Sequence, residues 1–234
     1  VEIHRLSGTA AVLPHPSIEL TYNGQRPSAG SHVKRQSSLS NRRATDELPS
    51  VQHTARKPIV VAPYSEEWPL QFAEVHSELL RTFSPHHIAV EHIGSTSVPG
   101  LSAKPVIDVL AGADSVRAIE QKIEVLERIG YKYVARYEDA FPMRRYFVRA
   151  ADSSSRVNLH AVVFGSQFWV EHLAFRDALR SNPSLVSQYQ ELKERLAVTF
   201  KDDRQSYTEG KATFIQAVIA SALRPAHNVG RPSF

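Results

Sequence analysis

The sequence contains no cysteine, which removes disulfide staples, thiolate nucleophiles and cysteine-ligated zinc together and leaves oxygen and imidazole as the ligands for any metal. It has no apolar run approaching the roughly 20 residues that cross a bilayer. The opening residues lack the charged, apolar and small-residue sections of a secretory signal. These absences make a cytoplasmic location without membrane association the expectation. An excess of one charge is also missing from most of the chain. The formal net charge is +4, yet residues 1–57 hold eight Lys or Arg against four Asp or Glu, and the remainder is balanced at 20 of each. A balanced folded part lacks the clustered basic face that tracks a nucleic-acid backbone, so nucleic acid is not expected among the partners.

Residues 1–56 mix Ser, Pro, Gly, Arg and Asn with no sustained hydrophobic period and read as a disordered basic leader. Their Arg and Ser content leaves a mitochondrial address as the alternative location, against which stand Glu2, Glu19, Asp46 and Glu47. Residues 57–224 read as one domain and residues 225–234 as a disordered tail. The domain opens with a short strand at 58–61. A helix then starts at Ser65, with Glu66 and Glu67 suited to its dipole and an apolar stripe of Leu70, Phe72, Val75, Leu79 and Leu80. Strands are expected at 88–93, 105–111, 131–136, 144–149 and 157–164. Helices are expected at 114–129, closed by Gly130, and at 167–180, 184–200 and 203–223, with a break at Asn182-Pro183. That order predicts an α/β (α+β) fold, a mixed sheet flanked by helices with a helical C-terminal part.

The strand at 88–93 runs directly into Gly94-Ser95-Thr96-Ser97, and an acidic residue, Asp108, interrupts the next apolar strand. Each half has a bland explanation. Together they suit a phosphate site: Gly permits close backbone approach, the Ser hydroxyl and turn amides can hold phosphate oxygens, and Asp108 can hold Mg²⁺. An Asp buried in a strand needs a cation or hydrogen-bond donors. Lys104, at the strand entrance, can neutralise phosphate. Arg144 and Arg145 lie on opposite faces of one strand. Arg145 is the expected partner for a phosphate or carboxylate, which its bidentate geometry suits. Tyr207 and Lys211 share a helix face, as do Arg176 and Arg180.

Residues 91–108, Glu-His-Ile-Gly-Ser-Thr-Ser-Val-Pro-Gly-Leu-Ser-Ala-Lys-Pro-Val-Ile-Asp, resemble the signature of the GrpB family, a domain also fused to some dephospho-CoA kinases. Pro63-Tyr64 with Trp68-Pro69, Arg144-Arg145-Tyr146-Phe147, His160, Phe175-Arg176-Asp177, Tyr189, Leu192-Lys193, and Tyr207 with Lys211 extend the resemblance over residues 58–222. It implies a nucleotidyltransferase-like fold. Active transferases of that superfamily carry two carboxylates one residue apart on the strand that follows the Gly-Ser turn, and a third on a later strand. Here Leu110 stands where the second would be, the later strand offers His160, and Asn158 occupies a position where the family tends to have His. The resemblance implies Asp108 and His160 as catalytic residues, with Asp108 and Glu91 as ligands of a Mg²⁺ cofactor. It implies Gly94, Ser95, Thr96, Lys104, Arg145, Asn158 and Lys211 as the groups that bind a nucleotide or other phosphorylated small molecule. Nucleotidyl transfer to an unidentified acceptor is the first expectation. The alternatives are a catalytically inactive ligand-binding or scaffolding module linked to dephospho-CoA kinase and coenzyme A metabolism, and a metal-dependent hydrolase using Asp108 and His160.

Overall fold

A computed structural model describes residues 60–150 and 155–224. The expected leader and tail, and the first half of the strand expected at 58–61, lie outside the described residues. Helix α1 (Glu67–Phe83) begins where the Ser65 hydroxyl accepts from the Glu67 amide at 3.2 Å, and it buries Trp68, Val75, Leu79 and Phe83 along one face. Each such side chain contributes about 2 kcal/mol on burial. Strand β1 (Ala89–Ile93) leads through a short 3-10 turn at Ser95–Ser97 to β2 (Val106–Ala113). Helices α2 (Val116–Glu120) and α3 (Ile123–Arg128) precede β3 (Tyr131–Tyr133), β4 (Arg144–Arg149) and β5 (Arg156–Val163). Four helices follow: α4 (Gln167–Ser181), α5 (Pro183–Thr199), α6 (Arg204–Glu209) and α7 (Ala212–Ala222).

The strands form one sheet in the order β1-β2-β5-β4-β3. The central pair, β2 and β5, is parallel and the other pairs are antiparallel. This is the mixed sheet flanked by helices that the sequence predicts. One face is apolar: Ile107, Val109 and Ala111 of β2 join Val157, Leu159 and Ala161 of β5 in a core with residues of α1, α2 and α3. On the opposite face α4 covers only part of the sheet, where Trp169 packs on Ile93, Leu110 and Val162. The helical C-terminal part has its own core, and Val98 and Leu101 from the segment after β1 are built into it beside Phe175, Leu179, Tyr189, Ile215 and Val218. The turn that follows Gly94 therefore joins the sheet to the helices.

Two expected helices are broken. The one at 114–129 is α2 and α3, separated at Gln121 and Lys122, so that Ile119 and Leu126 both enter the main core while Lys122 Nζ donates to Ser84 O at 3.0 Å. The one at 203–223 is α6 and α7, separated at Gly210-Lys211. A Cβ at Gly210 would lie 2.6 Å from Leu196 Cδ2, so the end of α6 is pressed against α5. The break at Asn182-Pro183 is as expected: Asn182 accepts from the amides of Ser184 and Leu185 and Pro183 opens α5. The strand at 131–136 stops at Tyr133, and residues 135–137 turn instead.

Candidate functional site

Gly94 ends β1 with φ 72° and ψ −175°, a conformation essentially confined to glycine. Strand register sets Ile93 opposite Asp108, so the turn passes over that carboxylate. A Cβ on Gly94 would fall 2.4 Å from Asp108 Oδ2 and 2.9 Å from its Cβ. The glycine is required here because the carboxylate lies against the backbone. Thr96 Oγ1 donates to Val106 O at 2.9 Å and stands 3.1 Å from His92 Nε2. The hydroxyl proton is thereby committed, so His92 Nε2 is the donor. Burial, with Arg180 and Arg176 nearby, lowers the His92 pKa from 6.5 to about 3 and keeps the ring neutral. Ser97 Oγ donates to Gly94 O at 2.7 Å. From α4, Arg180 Nε donates to Ser97 O at 2.9 Å and Arg176 Nη1 to His92 O at 3.1 Å. The turn is thus fastened on three sides.

Ser95, Thr96, Ala103, Lys104, Val106, Asp108 and Asn158 line a small cleft beside this turn. The Ser95 hydroxyl has no hydrogen-bond partner among the described residues. Asn158, opposite Asp108 in the β2–β5 register, donates from Nδ2 to Asp108 Oδ1 at 2.8 Å, while its Oδ1 accepts from Arg156 Nε at 3.2 Å. An amide that donates to a carboxylate and accepts from a guanidinium has one possible orientation. Lys104 Nζ lies 4.6 Å from the centroid of the Tyr207 ring and Lys211 Nζ lies 4.5 Å from it. Lys211 is wholly buried. The cations expected at 104 and 211, distant in sequence, therefore meet at one tyrosine beside the cleft.

Three expected site residues are placed elsewhere. Arg145 sits on the α1–α3 side of the sheet, opposite Ala161, where Nη2 contacts Glu120 Oε1 of α2 at 2.6 Å and Nη1 donates to the carbonyls of Pro142 and Arg144. It does not line the cleft. Glu91 shares the face of Asp108 but pairs with Arg176 Nη1 at 2.6 Å, fixing α4 to β1, and is likewise not a cleft residue. His160 shares a face with Asn158, as alternation requires, yet lies under α4 with its ring 5.5 Å from Phe168 and 5.0 Å from Tyr146. Its Nδ1 faces Arg144 Nη1 at 3.3 Å. Complete burial, then the charges of Arg144 and His172, drive its pKa well below the usual histidine value, so it is a neutral acceptor. Thr96 lines the cleft, but its hydroxyl serves the turn. Two residues that sequence reasoning passed over belong to the open face: Arg156 and Tyr146, whose hydroxyl Arg156 also contacts. Alternation two residues back from Asn158 already put Arg156 on that face.

Among the described residues no group of three or more His, Asp or Glu is arranged to hold a metal ion. Among the described residues Asp108 is the single carboxylate lining the cleft. Mg²⁺ is held in many sites by one or two carboxylates with the ligand's own phosphates completing the shell, so the donor set suits one such ion and not a two-metal centre.

The fold and cleft define an α/β protein with a Gly-Ser turn facing one strand carboxylate, backed by a helical part. The chain belongs to the GrpB family: residues 58–221 match the GrpB protein family. The glutamate-rich protein GrpB of Alkalihalophilus pseudofirmus is 31% identical over 164 residues, covering 69% of this chain and 94% of that one. The UPF0157 protein YqkA of Bacillus subtilis is 33% identical over 169 residues, covering 72% of this chain and 48% of the relative, so the chain spans about half of that protein's length. The crystal structure of GrpB from Enterococcus faecalis, 35% identical, superposes with a TM-score of 0.63 over 70% of this chain and 96% of that one. A dephospho-CoA kinase of Mycolicibacterium paratuberculosis is 26% identical over 204 residues, covering 77% of this chain and 50% of that one. Cid1 poly(U) polymerase also aligns, at 14% identity and a TM-score of 0.38, a level that carries no argument about activity.

Proposed function

We propose that the protein binds a phosphorylated small molecule, a nucleotide in the first instance, in the cleft between the Gly94-Ser95 turn and Asp108, together with one Mg²⁺. The observation that carries this is the contact between Gly94 and Asp108: a glycine-only turn is held against a strand carboxylate, next to an uncommitted Ser95 hydroxyl and the Lys104 ammonium. Backbone without side chain, a free hydroxyl and an ammonium suit phosphate oxygens, and the carboxylate suits the accompanying cation. Mg²⁺ would supply charge neutralisation at the phosphate. Asp108 would hold the ion, Ser95 and Lys104 would hold phosphate oxygens, and Asn158 would fix the carboxylate by occupying Oδ1.

Transfer of a nucleotidyl group would draw on the same binding. The lone carboxylate favours a second reading, a ligand-binding or scaffolding module without transferase chemistry, because two-metal transfer uses several acidic ligands. The similarity to a protein named dephospho-CoA kinase makes coenzyme A precursors a ligand class to include. The test is a thermal-shift titration of the full chain with nucleoside triphosphates and coenzyme A precursors, with and without Mg²⁺, beside Asp108→Ala. Ligand at 100 times its Kd stabilises by about 2.7 kcal/mol. A Mg²⁺-dependent shift lost in Asp108→Ala supports the site; an equal shift in the variant refutes it. Release of pyrophosphate on adding candidate acceptors would separate transfer from binding.

A further inference from the structure

A hollow of about 510 Å³ lies against the segment that follows the turn, walled by Val98 and Pro99, by Leu179 of α4 and by Pro183 and Val186 of α5. It shares no lining residue with the Asp108 cleft. Small-molecule sites occupy roughly 300–1,000 Å³ and combine apolar walls with a few placed polar groups. Among the described residues the polar side chains here are Arg180 and Ser187. Ser187 Oγ donates to Pro183 O at 3.2 Å, so its proton is taken up within α5. Arg180 sets the charge of the hollow. Its Nε donates to Ser97 O at 2.9 Å, which anchors the guanidinium beside Val98. The two carboxylates that act on it, Glu91 and Asp177, are each held by Arg176, at 2.6 Å and 2.7 Å. Burial, then the Arg176 charge, lower the Arg180 pKa in spite of them. No carboxylate among the described residues lines the hollow. The first turn of α5 does line it, and the positive end of that helix dipole adds to the same field. With Nε committed, Nη1 and Nη2 form the fork that the two oxygens of a carboxylate match. One guanidinium balances one negative charge, which a carboxylate carries and a phosphate monoester exceeds.

We propose that this hollow is a second binding site, for a small monocarboxylate with an apolar body: Arg180 takes the carboxylate, and Val98, Leu179, Pro183 and Val186 take the body. The site stands apart from the phosphate-binding reading of the cleft, and neither depends on the other.

The experiment is titration of the ¹⁵N-labelled full chain with octanoate, followed by two-dimensional ¹H–¹⁵N spectra, with octanol and octyl phosphate as head-group controls. Octanoate is expected to give saturable shifts at the amides of Val98, Val186 and Ser187 and at Arg180 Nε. Octanol is expected to bind roughly ten-fold more weakly, the scale of one charge-assisted hydrogen bond, and octyl phosphate no more tightly than octanoate. Arg180→Gln should weaken octanoate by about the same ten-fold. Because Arg180 also holds Ser97 O, a second pair of variants tests the charge without touching that bond. Ser187 is exposed on α5, and Ser187→Glu should weaken octanoate by about three- to ten-fold while Ser187→Lys binds it at least as tightly as the parent. Shifts that do not saturate or that lie away from the hollow, octanol binding as tightly as octanoate, or equal affinity in the two Ser187 variants would overturn the proposal. Tighter binding of octyl phosphate than of octanoate would overturn the assignment to a carboxylate.

Discussion

Replacing Gly94 with Ala tests the contact on which the site is built. Two terms add. The backbone at φ 72° and ψ −175° lies where side-chain-bearing residues are essentially never found, which costs about 1–3 kcal/mol for an L residue. The new Cβ would stand 2.4 Å from Asp108 Oδ2 and 2.9 Å from Asp108 Cβ, so the carboxylate must move. Moving it breaks the 2.8 Å bond from Asn158 Nδ2, a hydrogen bond to a charged group worth about 1.5–3 kcal/mol. The expected loss is about 2.5–6 kcal/mol, against a typical domain stability of about 5–15 kcal/mol. Urea denaturation of the full chain, followed by circular dichroism, measures it. Asp108→Ala removes Oδ2 and Cγ, so the double variant should be less destabilised than the sum of the singles, with a coupling of about 1–3 kcal/mol. A loss below about 1 kcal/mol for Gly94→Ala, or strict additivity with Asp108→Ala, would refute both the close approach and the reason given for the glycine.

The neutral His92 makes the fold acid-sensitive. Its pKa falls from 6.5 to about 3 on folding, so between those values the unfolded chain binds the extra proton and stability declines as pH falls, by about 2 kcal/mol from pH 6.5 to 5. The buried His160 acts in the same direction, and His92→Gln should flatten the slope of stability against pH by nearly one proton in urea midpoints measured across that range. Arg145→Met should lower stability by about 1–2 kcal/mol through loss of the Glu120 pairing, and leave ligand-induced thermal shifts unchanged. In Gly210→Ala the new Cβ meets the flexible end of Leu196 at 2.6 Å and the Ser206 carbonyl oxygen at 3.2 Å, and the backbone φ is −60°, so the gain in helix propensity is set against that crowding and the change should stay within about 1 kcal/mol of zero by urea denaturation.

The legible parts of the fold were those with strictly local causes. The approach of Gly94 to Asp108 could be expected because a strand ending in Gly-Ser and a strand interrupted by Asp both carry their signal in adjacent residues. Which face Arg144 and Arg145 occupy could not be read from alternation alone, since alternation fixes their opposition and not the side that carries helices. A weak signal existed. Arg145 shares its face with Phe147, two residues on, which is fully buried in the α1–α3 core, whereas Arg144 shares its face with Tyr146. The pairing of Glu91 with Arg176 joins residues far apart in the chain, and it depends on where α4 docks, which no local pattern records. The helix break at 121–122 was hidden because the apolar spacing of Val116, Ile119, Ile123 and Leu126 runs through it, whereas at 210–211 the spacing lapses between Tyr207 and Ala212. At 210 the glycine itself was the available sign.

Leu110 decides how the lone carboxylate should be understood. On a sheet face where Asp108 opens to a cleft, the position two residues on is fully buried against Ile93, Val162 and Trp169 beneath α4. A carboxylate there would be enclosed by apolar groups and capped by the indole. Leu110 is thus part of the packing that docks α4, and α4 in turn supplies Arg176 and Arg180 to hold the turn after Gly94. Restoring the pair of acids by Leu110→Asp should therefore destabilise the fold, by about 3 kcal/mol or more from lost packing and an unpaired buried charge, and should not confer metal-dependent turnover. Urea denaturation and a pyrophosphate-release assay on the same variant measure the two consequences. A stable Leu110→Asp protein with new Mg²⁺-dependent activity would mean that α4 yields readily, and that the single-carboxylate cleft is one substitution from a transferase centre.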